Sequence, residues 1–104
     1  MQTIIIVLDS KKMKNPDLDI RYTLPDRIDE YTNHQITDNG YDYVSDSELG
    51  LWLETDDANK NVGKVIELIK MGTFLDNDLS EIADIYISEE ECANLDNCQK
   101  IYPL

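Results

Sequence analysis

The apolar positions of the chain begin with an unbroken run from Ile4 to Leu8. Such a run is typical of a strand that is buried on both faces, so we expect a central strand over residues 3–8. From Leu49 to Glu54, apolar residues occupy every second position, which predicts a strand with one buried face. Three further strands are expected, at residues 36–44, 84–87 and 100–102.

Helical spacing is clearest between Asn59 and Met71. Apolar residues three, four and seven positions apart predict an amphipathic helix, and Gly72 stands where a glycine commonly ends one. The expected core stripe consists of Val62, Val65, Ile66 and Ile69.

Two other helices are indicated by end signals. Asn15-Pro16-Asp17 resembles a helix start, and Pro25 predicts a break or kink before the helix continues to Tyr31. Leu18 and Tyr22 are expected to share one face of this helix. Ser88-Glu89-Glu90-Glu91 matches a capping box, which predicts a short helix after the strand at 84–87.

The resulting order is β-α-β-β-α-β with a short C-terminal helix and strand. It predicts an α/β fold of the α+β kind, a ferredoxin-like two-layer sandwich with four antiparallel strands in the order 4-1-3-2 and two helices on one face. That order places the first strand in the interior, in agreement with the run Ile4–Leu8. A chain of 104 residues is expected to form a single domain, residues 1–104.

The stretch DNGYDYVSDSE, residues 38–48, contains two turn signals. Ser45–Glu48 is expected to be the hairpin turn, while Asp38-Asn39-Gly40 is a rival turn because Asn-Gly is a strong hairpin signal. A bulge at Asn39-Gly40 would accommodate both signals. Alternation then places Tyr41 and Tyr43 on one face of the strand, with Asp42 and Val44 on the other.

The net charge of −13 is concentrated in two blocks. Residues 36–59 carry seven acids and no lysine or arginine, and residues 73–104 carry eight acids and one lysine. This charge repels nucleic acid and anionic membranes, and it favours either solubility or a basic protein partner. Both interpretations remain open from the charge alone.

Metal and cofactor sites are not expected. Asp76–Ser80 begins like a calcium loop, but Glu81 occupies the position of the required glycine and Ile87 that of the required glutamate. Cys92, Cys98 and His34 are too few for a four-ligand zinc site. The chain also lacks a glycine-rich phosphate loop, and so small a domain leaves little room for a substrate cleft, so an enzyme is not expected.

The N-terminus leads directly into the apolar run, which is too short to span a bilayer and follows no basic region. We therefore expect no secretory signal and a cytoplasmic location, where two cysteines remain reduced.

Aromatic residues lie inside the first acidic block, and aromatic anchors surrounded by acids are typical of an interface for a basic protein. The expected partner-binding residues are Tyr41, Asp42, Tyr43, Asp46 and Glu48. The alternative is that Tyr41, Tyr43 and Trp52 simply cover the open face of the sheet.

The stretches NPDLDIRYTLPDRIDEYTN, DNGYDYVSD and KIYP resemble the bacterial immunity proteins of toxin–immunity pairs, including contact-dependent growth inhibition and other polymorphic toxin systems. The resemblance implies tight binding to a cognate toxin domain, often a basic nuclease, which is inhibited by being blocked. The competing interpretation is an intracellular ferredoxin-like adaptor or regulatory domain that binds a small ligand or forms a homodimer. Such a domain would need a concave pocket with convergent polar groups.

Overall fold

The computed structural model describes residues 1–103, which form an α+β domain with an antiparallel sheet of five strands and helices on one of its faces. The elements in chain order are β1 (Gln2–Asp9), α1 (Ile20–Tyr31), β2 (Ile36–Tyr43), β3 (Glu48–Thr55), α2 (Ala58–Ile69), α3 (Leu79–Ile82), β4 (Ala83–Ser88) and β5 (Gln99–Tyr102). Short 3-10 turns lie at Ser10–Lys12 and Leu95–Asn97.

The strand order is β2-β3-β1-β4-β5, and every neighbouring pair is antiparallel. β1 lies in the middle, as its unbroken apolar run indicates. The edge strand expected at residues 100–102 forms as β5, which pairs with β4 through Tyr86 and Lys100 and through Ile87 and Gln99, so the expected four-stranded sheet is corrected to five strands. The complete order therefore differs from the four-strand order by this added edge strand.

The main core lies between the sheet and the two long helices. On β1, Ile4, Ile6 and Leu8 face this layer. The buried residues that pack there from the helices are Ile20, Leu24 and Ile28 of α1 and Val62, Val65 and Ile69 of α2. Ile66 is only partly buried at the edge of this cluster, so the buried stripe of α2 is narrower than the sequence pattern indicates.

The opposite face of β1 is also buried, and residues 89–98 are bonded to one end of it at Thr3. We call these residues the covering segment. Thr3 Oγ1 donates to the Glu90 carbonyl at 2.8 Å and accepts from the Ala93 N–H at 3.2 Å. Ile5 and Val7 lie on this face and are buried, and Ile5 pairs with Trp52 on one side and Tyr86 on the other.

The helix expected after Ser88 does not form. Ser88 Oγ instead accepts from the Glu90 N–H at 3.0 Å, and Cys92 adopts a left-handed φ of 48° that turns the chain. An apolar sheet face requires cover, and the anchors of the covering segment to Thr3 outweigh the local helix signal.

The first helix begins at Ile20 rather than at Asn15, and it continues through Pro25 without a break. Asn15 is engaged elsewhere, because its backbone N–H donates to Asn77 Oδ1 at 2.8 Å and its carbonyl accepts from Asn77 Nδ2 at 2.8 Å. Pro25 lacks the N–H that would donate a helical hydrogen bond. The burial of Leu24, Pro25 and Ile28 against the core stabilises the helix despite this loss.

Candidate protein-interaction surface

The β2–β3 hairpin has both a bulge and a turn. The bulge lies between Asp38 and Tyr41, where Gly40 has a φ of +98° and donates its N–H to Asp38 Oδ1 at 2.9 Å. In the turn, the Val44 N–H donates to the Glu48 carbonyl at 3.0 Å. Glu48 also donates its N–H to Ser45 Oγ at 3.2 Å. The two turn signals of the sequence thus occupy different places in one hairpin.

Two tyrosines of β2 lie on the helix side of the sheet, opposite buried leucines of β3, yet both are exposed. Tyr41 pairs with Leu51 and is 41 % exposed, and Tyr43 pairs with Leu49 and is 50 % exposed. The Tyr22 ring of α1 meets Tyr41 edge to face, with centroids 6.0 Å apart.

Leu18 and Tyr22, which precede and begin α1, are 51 % and 49 % exposed. We call Leu18, Tyr22, Tyr41 and Tyr43 the aromatic patch. Four large, exposed apolar side chains on adjacent elements are more than the isolated exposed residues that any surface carries.

Arg21 contacts two of the tyrosine rings of this patch. Its guanidinium carbon lies 4.8 Å from the Tyr22 ring centroid and 5.2 Å from that of Tyr41, within the range of a cation–π contact. The adjacent Tyr22 side chain raises the pKa of the Tyr41 phenol. Two of the three tyrosines of the aromatic patch, Tyr22 and Tyr41, thus contact both Arg21 and each other.

A groove of about 360 Å³ lies between the start of α1 and the hairpin turn. We call it the tip groove. Its floor is apolar and comprises Leu8, Ile20 and Leu49. Asp17, Tyr43 and Asp46 are among the residues at its rim, and no lysine or arginine of residues 1–103 lines it.

The five predicted partner-binding residues do not share one face. Tyr43 and Asp46 meet in the tip groove, and Tyr41 belongs to the aromatic patch. Asp42 lies opposite Gly50, and Glu48 lies opposite Asp9, which places both on the other side of the sheet.

Asp42 borders a shallow hollow of about 280 Å³ beside Trp52, on the side of the covering segment. The hairpin therefore presents tyrosines and Asp46 toward α1 and presents Asp42 and Glu48 away from it. A single flat partner surface contacts only one of these sets closely.

Sequence reasoning did not identify Leu18, Arg21 and Tyr22 as part of this surface. The spacing of Leu18 and Tyr22 indicated a shared helix face, and such a face is normally directed into the core. Here the core side of α1 is formed by Ile20, Leu24 and Ile28, so the other two residues remain on the surface.

The acids of the hairpin keep their charge exposed. The ion pairs within residues 1–103 are Arg27–Glu30 at 3.8 Å and Lys100–Asp84 at 3.5 Å, and the His34 ring contacts Asp29. None of them includes an acid of the hairpin or of the tip groove. Lys12 and Lys14 line a separate hollow with Asp76, Asp78 and Glu81, at the same end of the sheet.

Across residues 1–103, no three His, Cys, Asp or Glu side chains are grouped so that they could hold a metal ion. None of the helices in that range has the length and apolar character needed to cross a membrane. Cys92 and Cys98 are free thiols. Comparison of the chain with protein-family models, curated proteins and solved structures finds no significant match.

Proposed function

We propose that this chain is an acidic protein-binding module, and specifically an immunity protein that binds and blocks a cognate basic toxin domain such as a nuclease. The observation that carries the proposal is the aromatic patch beside the acidic, cation-free tip groove. Tyrosine is enriched among the residues that dominate binding energy, and contiguous exposed apolar groups mark interaction sites.

Charge supports the choice of a basic partner. The chain carries a net charge of −13, and the hairpin acids have no ion-pair partner within residues 1–103. A nuclease site is positive because it holds phosphates, so an acidic surface is complementary to it and accelerates association by electrostatic steering.

The contacts that position the side chains of the aromatic patch favour tight binding. Arg21 contacts two of the tyrosine rings, and the bulge at Gly40 fixes the direction of the strand that carries Tyr41 and Tyr43. Side chains that are already ordered lose less conformational freedom on association, which leaves more of the contact energy as affinity.

We also propose that the frame is ferredoxin-like, with β5 as an addition, and that the protein acts in the cytoplasm. The relative order of the first four strands and the crossover of α1 and α2 on one face support this frame. A cytoplasmic location follows from the proposed role, since a nuclease toxin must be blocked where its substrate is found.

The alternative adaptor function would need a ligand pocket or a homodimer. A polar hollow of about 420 Å³, bordered by residues such as Gln2, Asn59 and Gln99, lies within the volume range of ligand pockets and supports the first form, whereas the apolar hollow at Leu24, Phe74 and Leu79 measures only about 210 Å³. Association of two copies would bring together two chains that each carry a charge of −13, which opposes a homodimer.

The test uses the protein encoded directly upstream of this chain's gene, purified as its C-terminal toxin domain. We expect one-to-one binding by calorimetry and loss of the toxin's activity in the complex. Tyr22→Ala with Tyr43→Ala should weaken binding at least about tenfold, equivalent to about 1.4 kcal/mol. Met71→Ala is the matched control, because Met71 is an exposed apolar residue outside the patch.

The proposal is wrong if the upstream domain does not bind, or if it binds and keeps its full activity. If binding and inhibition occur but the tyrosine variant binds the toxin domain with the same affinity as the Met71→Ala control, the proposed function stands and the aromatic patch is not the interface.

A further inference from the structure

We propose that the tip groove is an anchoring site for one arginine side chain of a basic protein partner. The inference rests on the proposed function for the existence of that partner. Binding of an arginine side chain in the groove can be measured without that partner.

The shape of the groove suits a long side chain with an apolar stem. Leu8, Ile20 and Leu49 form a floor that is already part of the core, so the base of the groove is rigid. The volume of about 360 Å³ lies at the small end of the range for ligand pockets. Long cationic side chains commonly lay their methylene groups along such apolar surfaces while the charge remains at the rim.

The rim supplies the matching charge. Asp17 uses Oδ1 to accept the Asp19 N–H at 2.9 Å, which leaves its other carboxylate oxygen without a partner. Asp46 makes no hydrogen bond or ion pair within residues 1–103 and is exposed at the hairpin turn. Both carboxylates are therefore available to N–H donors from outside the molecule.

Tyr43 favours arginine over lysine as the occupant. Its ring borders the groove and is 50 % exposed. A guanidinium group stacks on an aromatic ring and at the same time donates in its own plane to carboxylates, whereas an ammonium group is a more strongly hydrated point charge. The set of a tyrosine ring and two carboxylates above an apolar floor matches the guanidinium.

The chain's own cations do not fill the groove. Arg21 lies over the rings of Tyr22 and Tyr41, and Lys12 and Lys14 line a different hollow. A second copy of the chain is disfavoured as the occupant by its charge of −13. Lys11, Lys12 and Lys14 flank the lining residues Ser10 and Met13 in the chain, but none of them lines the groove, so a basic partner provides the cation that would enter it.

The test uses the peptide acetyl-Gly-Arg-Gly-amide and the ¹⁵N-labelled full chain, observed by NMR during titration. The matched ligand is the same peptide with citrulline, which keeps the length and planar head of arginine without its charge. We expect saturable shifts for the arginine peptide, concentrated at the amides of Leu18, Tyr43 and Ser47, with a dissociation constant on the order of millimolar, since one side chain makes few contacts.

Two variants assign the effect to the groove. Asp17→Asn with Asp46→Asn should weaken arginine-peptide binding at least about tenfold. Asp26→Asn with Asp96→Asn removes the same charge at exposed acids that do not line the groove, and it should leave the dissociation constant within about twofold, because an exposed charge without direct contact is screened at 0.1 M salt.

Three outcomes would overturn the inference. One is equal binding of the citrulline peptide; another is the lack of saturable shifts at these amides with tens of millimolar arginine peptide. The third is a shift pattern that depends on protein concentration instead of peptide, which would assign the groove to a second copy. None of these outcomes depends on a toxin. The arginine site can therefore be wrong while toxin inhibition is right, and toxin inhibition can be wrong while the arginine site is right.

Discussion

The indole N–H of Trp52 donates a hydrogen bond of 2.9 Å to the carbonyl oxygen of Ala93, 41 residues further along the chain. Ala93 is buried, and its N–H donates in turn to Thr3 Oγ1. One residue of the covering segment is thus fixed to both β3 and β1. These bonds attach the covering segment to the sheet face opposite the helices, and they give Trp52 a structural role beside the hairpin.

Trp52→Phe should loosen the covering segment. The substitution leaves the buried Ala93 carbonyl without its donor, and an unsatisfied buried group costs about 1–3 kcal/mol. We expect a loss of that size in urea unfolding and faster hydrogen exchange at the Ala93 amide. Tyr86→Phe is the control on the same sheet face, and unchanged exchange at Ala93 in Trp52→Phe would show that the bond does not hold the segment.

Gly50→Ala should destabilise the protein, because a Cβ at Gly50 would lie 2.6 Å from Trp52 Cζ3. The indole must move, which costs about 1–3 kcal/mol as overpacking does, and the bond to Ala93 stretches.

Gly63→Ala is the contrasting control, since nothing lies within 4 Å of a Cβ at that exposed helical position. There the substitution should stabilise α2 by about 0.5–1 kcal/mol. Thermal unfolding of both variants tests these opposite predictions. Equal Tm shifts would contradict the close approach of Trp52 to Gly50.

The strands were largely predictable from sequence because their signals are local. The run Ile4–Leu8 and the alternation Leu49–Glu54 follow directly from burial on two faces and on one face, and β1 and β3 occupy these places. The start of α1 was not predictable, because Asn15 forms a hydrogen bond with Asn77, 62 residues away, instead of beginning the helix. The covering segment likewise overrides its capping box through contacts with Thr3, 87 and 90 residues distant.

The candidate surface was predictable only in part for the same reason. The hairpin with Tyr41, Tyr43 and Asp46 follows from local alternation and turn residues. The contact between Tyr22 and Tyr41 depends on how α1 packs over β2, and no periodicity reports that. Alternation did place Asp42 on the face opposite the tyrosines, but it did not indicate which of the two faces α1 would border.

Two isoleucines of α2 provide a direct check of the helix phase. Ile69 is buried and Ile66 only partly so, although the sequence pattern assigned both to the core stripe. Ile69→Ala should cost about 2–5 kcal/mol, as buried isoleucines do. Ile66→Ala removes the same atoms in the same helix and should cost clearly less in urea unfolding. The reverse order would mean that α2 is rotated about its axis.

Cys98 should be a slow nucleophile. Burial, and to a lesser extent the charge of Glu90, raises the pKa of its thiol above the usual value of 9.0. In a Cys92→Ser background, the rate of alkylation by iodoacetamide should rise with pH through a midpoint above 9.0, because only the thiolate reacts.

Glu90→Gln removes the smaller of the two causes. It should lower the midpoint for Cys98 without restoring an ordinary value, since burial remains. A midpoint unchanged by Glu90→Gln would exclude the charge contribution, and one at or below 9.0 in the parent would contradict the burial.

Charge reversal at the hairpin should slow partner association. Asp42→Lys, Asp46→Lys and Glu48→Lys together change the charge by six units without touching the core, and they replace the like-charged pair of Asp9 and Glu48 across β1 and β3 by an opposite pair. We therefore expect an intact fold, and binding of the toxin domain weakened at least about tenfold.

The matched control reverses Glu89, Glu90 and Glu91, three exposed acids that follow β4 at the opposite end of the sheet, which is an equal charge change. Stopped-flow measurement of the association rate at low and high salt distinguishes steering by the hairpin from steering by the net charge. Steering by the hairpin predicts a rate that falls with salt in the parent and in the control variant, because exposed charges are screened over about 10 Å at 0.1 M salt. The hairpin variant should associate slowly at both salt concentrations. If both variants lose the same factor, net charge rather than the hairpin steers the partner, and the interface must be sought away from Asp46.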